Sequence, residues 1–142
     1  MAVRIPLNQV INLQQLEAGV TGPDGATRLF AVTGQFDVGL AAFSSLTQQT
    51  QTFTLLIGPV LTRQQFVRAI CTAALAKTNL QLQTTPSNFN WQVVNSDADW
   101  DDESGQVELR VEALVTVNGG ASNSVGINGL AFQVTILAAI AA

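Results

Sequence analysis

Histidine is absent from this sequence, and cysteine occurs only once, at Cys71. A disulfide within the chain is therefore impossible, and zinc sites built from cysteine and histidine are excluded. Nucleophilic catalysis is also disfavoured, because histidine is the usual base that activates a nucleophile. Cys71 falls on the apolar side of a predicted helix, where core packing is the typical role of a thiol. We therefore expect no enzymatic activity and no catalytic residues.

Charged residues are also scarce, at 11% of the chain, against about 25% in an average soluble domain. The few basic residues are scattered, whereas binding to a phosphate backbone needs clustered Lys and Arg, so we expect no nucleic-acid partner. The polar surface must then consist mainly of Gln, Asn, Thr and Ser, which cost less to desolvate than ions. Such a surface is easy to bury against a neighbouring subunit, although ordinary drift in composition gives the same pattern.

Targeting signals are missing as well. Pro6 and Asn8 interrupt the N-terminus before the apolar core of a signal peptide can form. The apolar tail at 129–142 is too short to span a bilayer. These features predict cytoplasmic synthesis without a signal peptide, no membrane span, and, for a structural protein, a place in a virion or injection-type particle.

Alternation of apolar and polar residues is the strongest pattern that the sequence contains. One face of the segment 106–118 carries Val107, Leu109, Val111, Ala113, Val115 and Val117. A period of two indicates a strand with one buried and one wet face. Shorter alternating segments at 27–40, 53–57, 89–93 and 130–136 predict further strands, after a Pro-Asp-Gly turn at 21–25. The strands at 27–40 and 53–57 could pair antiparallel, and the last three strands should form a meander whose hairpin turn at 118–123 uses the positive φ that Asn-Gly-Gly supplies. With 47% hydrophobic residues, the chain can bury a core, and we expect a single domain over 1–142.

One helix is predicted at 62–78. Thr62 and Gln65 have the spacing of a capping box, and Phe66, Ile70 and Ala73 follow one helical edge. The predicted fold class is therefore α+β: a mainly antiparallel, curved sheet that is barrel- or sandwich-like, with this one α-helix packed on it. Residues 1–20 are expected to form an N-terminal arm, as a short strand or a helical turn, and 137–142 an apolar tail.

An acidic turn at 97–103 is the best-defined candidate site. Asp97, Asp99 and Asp101 have the one, three, five spacing of a calcium loop, and Glu108 falls at its twelfth position. The glycine that the loop pattern needs is missing, and the flanking segments are predicted strands rather than helices. Two interpretations stay open: a calcium site with oxygen ligands, or a solvated acidic loop whose charges oppose pairing between strand edges. No other cofactor is predicted.

The low charge, the long alternating strands and the lack of catalytic groups predict a non-enzymatic structural subunit. We expect it to self-assemble into a symmetric homo-oligomer or a larger particle, alone or with other structural subunits. Its size and predicted layout resemble those of tube-forming subunits of phage tails, a small β-barrel with one helix. The alternative is a β module that binds a small ligand, or calcium through the acidic turn. The candidate interface residues are Trp100, Gln48, Gln49, Gln51, Leu137 and Ile140.

Overall fold

The computed structural model describes residues 2–22, 25–44 and 47–140. These residues form eight β-strands: β1 (Val3–Arg4), β2 (Val10–Gly22), β3 (Gly25–Phe43), β4 (Gln48–Ile57), β5 (Phe66–Gln81), β6 (Asn88–Trp100), β7 (Val107–Asn118) and β8 (Ser124–Ala138). A single turn of 3-10 helix, Leu7–Gln9, separates β1 from β2. Within the described ranges, no helix has the length and apolar character needed to cross a membrane.

The strands form two four-stranded sheets that share one hydrophobic core. The β7 sheet has the order β1-β4-β7-β6, and the β8 sheet has the order β2-β3-β8-β5. All neighbouring strands are antiparallel except β1 and β4, which pair in parallel. The prediction of antiparallel β structure is confirmed, and the architecture is that of two layers packed around apolar faces.

β7 is the central core strand, as its alternation predicts. Val107, Leu109, Val111, Ala113, Val115 and Val117 are all fully buried, while the residues between them are half-buried or exposed. The facing β8 sheet contributes Phe36 and Phe132 to the same core, and β4 contributes Phe53. Gly34 belongs to this inner side, because a Cβ there would lie 2.6 Å from Val10 Cγ1. The glycine therefore marks a close approach between β2 and β3.

The predicted helix at 62–78 is wrong, although its start signal forms. The Thr62 backbone N–H donates to Gln65 Oε1 at 2.9 Å, and the Gln65 N–H donates back to Thr62 Oγ1 at 3.3 Å. This reciprocal capping box closes one turn, after which the chain enters β5 at Phe66. The described residues contain no packed α-helix, so the α+β class is corrected to an all-β arrangement of two sheets.

The physical reason lies in the pairing of β5 with β8. The register runs from Phe66 opposite Ala138 to Gln81 opposite Ser124, so β5 satisfies the second edge of a buried strand. An unpaired ladder along β8 would leave many backbone groups without partners. Helix propensity of alanine-rich segments is a weak preference of tenths of a kcal/mol per residue, and long-range pairing overrides it.

Two predicted strand partnerships are also different in the structure. β3 and β4 follow each other in the chain but lie in different sheets, and so do β7 and β8. The glycines Gly119 and Gly120 adopt the predicted positive φ, 80° and 77°, but their turn crosses between layers instead of closing a hairpin. The N-terminal arm consists of β1, the 3-10 turn and β2. The predicted turn residues Pro23 and Asp24 lie outside the described residues.

Candidate functional site

The first residues of the acidic turn, 97–100, form the end of β6, which pairs with the start of β7. Asp97 lies opposite Arg110, and Asp99 lies opposite Glu108, all on the face turned away from the core. The Arg4 Nη2 donates to Glu108 Oε2 at 2.7 Å, and the Arg110 Nη2 donates to Glu108 Oε1 at 3.5 Å. Both carboxylate oxygens of Glu108 are thus engaged by guanidinium groups.

Asp101 organises the turn itself. Its Oδ2 accepts hydrogen bonds from the Ser104 hydroxyl at 2.7 Å and from the Ser104 backbone N–H at 3.0 Å. These two bonds hold the pKa of the Asp101 carboxyl below its ordinary value, with a smaller contribution from Arg4 and an opposing one from desolvation. The Gly105 N–H also donates to the Asp101 carbonyl at 2.8 Å. The carboxylate therefore stabilises the turn locally.

Across the ranges that the structure describes, no group of three or more acidic, cysteine or histidine side chains could hold a metal ion. The geometry gives a reason, since Glu108 is held by two arginines and Asp101 by Ser104. The structure places Asp97 and Asp99 beside Glu108 but leaves no open set of oxygen ligands. Calcium binding by Asp97, Asp99, Asp101 and Glu108 stays a prediction, and the solution experiment described below tests it.

Trp100 connects the acidic turn to the segment before β5. Its indole Nε1 donates to the Leu61 carbonyl at 3.0 Å and to the Gly105 carbonyl at 3.1 Å. The guanidinium carbon of Arg63 lies 5.7 Å from the ring centroid, within the range of a cation–π interaction. The half-buried side chain thus has an internal role in the turn, and its predicted role at an interface stays a prediction.

The other predicted interface residues are dispersed. Gln48 is exposed, whereas Gln49 and Gln51 are half-buried on the core side of β4. Leu137 is half-buried on β8, and Ile140 packs against the core. Gln48 pairs with Thr116 and Trp100 pairs with Val107, so they lie near opposite ends of β7, roughly 30 Å apart at the rise of a strand. The structure does not gather these six residues into one site.

A different surface emerges on the side of the β8 sheet that faces away from the core, here called the outer face. Opposite residues in paired strands point to the same side, so the registers define three transverse rows. The rows are Leu16–Ala31–Thr135–Ile70, Gln14–Thr33–Gln133–Thr72 and Ile11–Gln35–Ala131–Ala74. None of these residues is charged.

Charges flank this surface at both ends. Arg68 lies opposite Leu137, in the row beyond Ile70. At the other end, Lys77 Nζ lies 2.9 Å from Asp37 Oδ1, and the pair bridges over Gly129 between them. The Lys77 side chain lies within 3.4 Å of the position of a Cβ on that glycine. The outer face is therefore a bounded, uncharged surface rather than a generally solvated sheet.

Two open depressions on the outer face, of about 240 and 130 Å³, are lined by small side chains of β5 and β8 such as Thr72, Ala74 and Ala131. Ligand sites are usually concave and enclose most of their ligand. These depressions have the form of a gently uneven sheet surface, which is better suited to a flat partner than to a small molecule.

Sequence reasoning missed the outer face because it assigned β5 to a helix. The signal that was available is the alternation of Ala69, Cys71 and Ala73, which are half-buried, with Ile70 and Thr72, which are exposed. Burial raises the pKa of the Cys71 thiol, although a hydrogen bond with Ser96 opposes this effect. The thiol therefore stays protonated at neutral pH, as expected of a packing residue rather than a nucleophile.

Asn123 is a buried polar residue that the sequence did not single out. Its side chain is 1% exposed, and its Oδ1 accepts hydrogen bonds from the backbone N–H groups of Gln83 and Thr84 at 2.9 and 3.1 Å. Its backbone N–H donates to Ser44 Oγ at 2.9 Å, and its Nδ2 donates to the Gly119 carbonyl at 3.3 Å. The Asn123 side chain thus joins two connecting segments, and the backbone of the same residue joins a third.

Asn123→Ala should destabilise the protein by about 1–3 kcal/mol, because it removes a buried side chain whose oxygen accepts hydrogen bonds from two backbone N–H groups. The free energy of unfolding from urea titration measures this loss. Asn128→Ala is the matched control, since Asn128 is exposed and its side chain accepts a hydrogen bond from the exposed Asn79 side chain. Equal stability losses in the two variants would contradict the structural role of Asn123.

Comparison of the chain with protein-family models, curated proteins and solved structures found no match.

Proposed function

We propose that this protein is a non-enzymatic structural subunit that associates with copies of itself into a symmetric oligomer. The observation that carries the proposal is the uncharged outer face, three rows deep and four strands wide, bounded by Arg68 and by the Asp37–Lys77 pair. Monomeric proteins rarely expose large contiguous apolar patches, and charges on a surface oppose association. A surface that mixes exposed aliphatic side chains with uncharged polar ones therefore favours contact with another protein.

The side chains of this surface suit burial against a protein. Leu16 is 70% exposed and Ile70 is 61% exposed, so each exposes apolar surface to water in the isolated chain. Burial of that area contributes roughly 25 cal/mol per Å². The neighbouring Thr and Gln side chains form hydrogen bonds at an interface without the cost of desolvating an ion. Self-association therefore costs little on this face and gains apolar burial.

The competing interpretations receive less support. The resemblance to tube-forming subunits of phage tails included a packed helix, so it no longer contributes to the proposal, and the kind of particle stays open. A calcium-binding module needs free carboxylates, whereas Glu108 is engaged by Arg4 and Arg110. A small-ligand module needs an enclosing pocket, whereas the depressions of the outer face are open.

Light scattering on a sizing column tests the proposal. The mass of the protein is measured once in a buffer with millimolar calcium and once in a buffer with a calcium chelator. We expect a particle several times heavier than the 15.0 kDa chain, with the same mass in both buffers. A 15.0 kDa monomer across the accessible protein concentrations would overturn the proposal. A particle that forms only with calcium would favour the acidic turn as a metal site instead.

A further inference from the structure

We propose that copies of this chain join head to tail through the two edges of the β8 sheet, with β5 of one copy pairing with β2 of the next. This inference rests on the proposed function, since it names the partner and the contact of the assembly. Within the described residues, β2 and β5 are the outermost strands of this sheet. Each therefore presents backbone donors and acceptors that a further strand can pair with. Near the end of β5, Trp91 Nε1 of β6 already donates to the Asn79 carbonyl at 3.3 Å, so the pairing is expected along the part of β5 that includes Ile70.

The two edges are long, and the register shifts that interrupt them lie outside residues 14–22 of β2 and 68–75 of β5, which include Leu16 and Ile70. β2 has 13 residues with Glu17 as its only charge, and β5 has 16 residues with only Arg68 and Lys77. Natural edge strands are usually short, charged or interrupted by proline. Both edges instead expose large aliphatic side chains: Ile11, Leu13, Leu16 and Val20 on β2, and Val67, Ile70, Leu75 and Leu80 on β5.

Strand direction favours this pairing. β2 is antiparallel to β3, β3 to β8, and β8 to β5, so β2 and β5 run in opposite directions. A second copy in the same orientation therefore sets its β2 antiparallel to the β5 of the first, and the alternation of the sheet continues unbroken. Such a heterologous contact repeats from copy to copy, and it gives a ring where the rotation closes.

The most exposed aliphatic side chains of the sheet lie where this contact needs them. Leu16 and Ile70 occupy the two ends of one transverse row, through Ala31 and Thr135. When the second copy continues the row without stagger, its Leu16 lies directly opposite Ile70 of the first. Direct cross-strand neighbours have Cβ atoms about 4.5–5.5 Å apart, which brings both apolar groups out of water together.

The charges of the two edges are complementary. β2 carries one acidic residue, Glu17, and β5 carries two basic residues, Arg68 and Lys77. Within the chain, Glu17 also forms an exposed ion pair with Arg28, and Lys77 forms one with Asp37. Pairing β5 with β2 places opposite signs at the contact, whereas pairing two β5 edges places four basic residues together. β6, the long edge of the other sheet, ends in the acidic residues Asp97 and Asp99. Charges of this kind protect an edge.

Leu16→Lys and Ile70→Asp test the contact. Each places a charge on an exposed position of one edge, of the same sign as the edge it would meet. We expect each variant to fold and to run near 15.0 kDa, with association at least about tenfold weaker. An equal mixture should associate again, because each variant keeps one unmodified edge for the other.

The outcomes separate this inference from the proposed function. Val60→Lys is the matched control, since Val60 is 72% exposed and lies in the connection between β4 and β5, outside both edge strands, and it should keep the unmodified mass. Variants that fold and keep the unmodified mass would overturn edge pairing while self-assembly stands. Disruption by Leu16→Lys alone would replace it with a two-fold β2–β2 contact. An unmodified protein that is monomeric would overturn both proposals at once.

A cross-linking experiment keeps the inference testable if those variants do not fold. Leu16→Cys and Ile70→Cys are combined with Cys71→Ala, and the protein is oxidised. Leu16 and Ile70 of one chain lie three strand spacings apart, about 14 Å, which is too far for a disulfide within the chain. We expect a ladder of multimers on a non-reducing denaturing gel. Only monomers, or only dimers, would overturn head-to-tail pairing along this row.

Discussion

Val111→Asp should abolish cooperative folding of this protein. Val111 is fully buried in the middle of β7, where its register partners are Phe53 on β4 and Ser96 on β6. A carboxylate there loses its hydration and finds no basic group among the valines and leucines that β7 buries. The expected cost is at least about 4–5 kcal/mol. That is a large part of the 5–15 kcal/mol by which a domain is typically stable.

Circular dichroism during heating measures this effect, because the unmodified protein should show one sigmoidal transition and Val111→Asp none. Glu112→Gln is the control at the next position, where the side chain lies on the outward side of the same strand. It should change the free energy of unfolding by less than about 0.5 kcal/mol. A Val111→Asp protein that melts cooperatively near the normal temperature would mean that β7 has the opposite face in the core.

The buried face of β7 was predictable from the sequence, because its alternation of apolar and polar residues is nearly perfect and a strand has only two faces. The same reasoning located β3, β4, β6 and β8, although the structure extends β3 to Gly25–Phe43 and β8 to Ser124–Ala138. Burial of one face is a local consequence of the pattern. The pairing of strands is not local, and this explains why consecutive strands were wrongly paired across the two layers.

β5 shows why a local pattern is not sufficient. Its alanines and the capping box formed by Thr62 and Gln65 favour a helix, and the box does form. The chain nevertheless continues as a strand, because β8 needs a partner on the side away from β3. That requirement is set by residues about 60 positions later in the sequence, and no window around Phe66 contains it.

The candidate surfaces also include features that are local in the sequence and features that depend on the pairing of distant strands. The acidic turn was visible because Asp97, Asp99 and Asp101 are close in sequence, and the structure places the first two beside Glu108. The ion pairs of Glu108 with Arg4 and Arg110 were not visible, since Arg4 is more than one hundred positions away. The row that joins Leu16 to Ile70 passes through Ala31 and Thr135. It exists only after four distant strands have paired.

Phe36→Ala should cost about 3–5 kcal/mol of unfolding free energy, the usual range for truncating a buried phenylalanine. Phe36 is fully buried on β3. Its ring centroid lies 6.0 Å from that of Phe53 and 6.2 Å from that of Phe132. Phe53 belongs to the facing sheet, so this cluster connects the two layers, and its loss leaves a cavity between them. Urea titration followed by tryptophan fluorescence measures the change.

Two control variants test whether the loss of stability comes from removing the buried ring of Phe36. Phe36→Leu keeps most of the volume and should cost less than about 1.5 kcal/mol. Phe89→Ala removes a ring that is 39% exposed on β6 and that contacts Trp91 edge to face at 5.4 Å, so its cost should stay near the 0.5–1.5 kcal/mol of an aromatic pair. Equal losses for Phe36→Ala and Phe89→Ala would contradict a core held together between the sheets by Phe36. If Phe36→Ala costs more than both controls, the stability of the two packed sheets depends mainly on core side chains rather than on the sheet edges. Edge substitutions such as Leu16→Lys then act on association without unfolding the subunit.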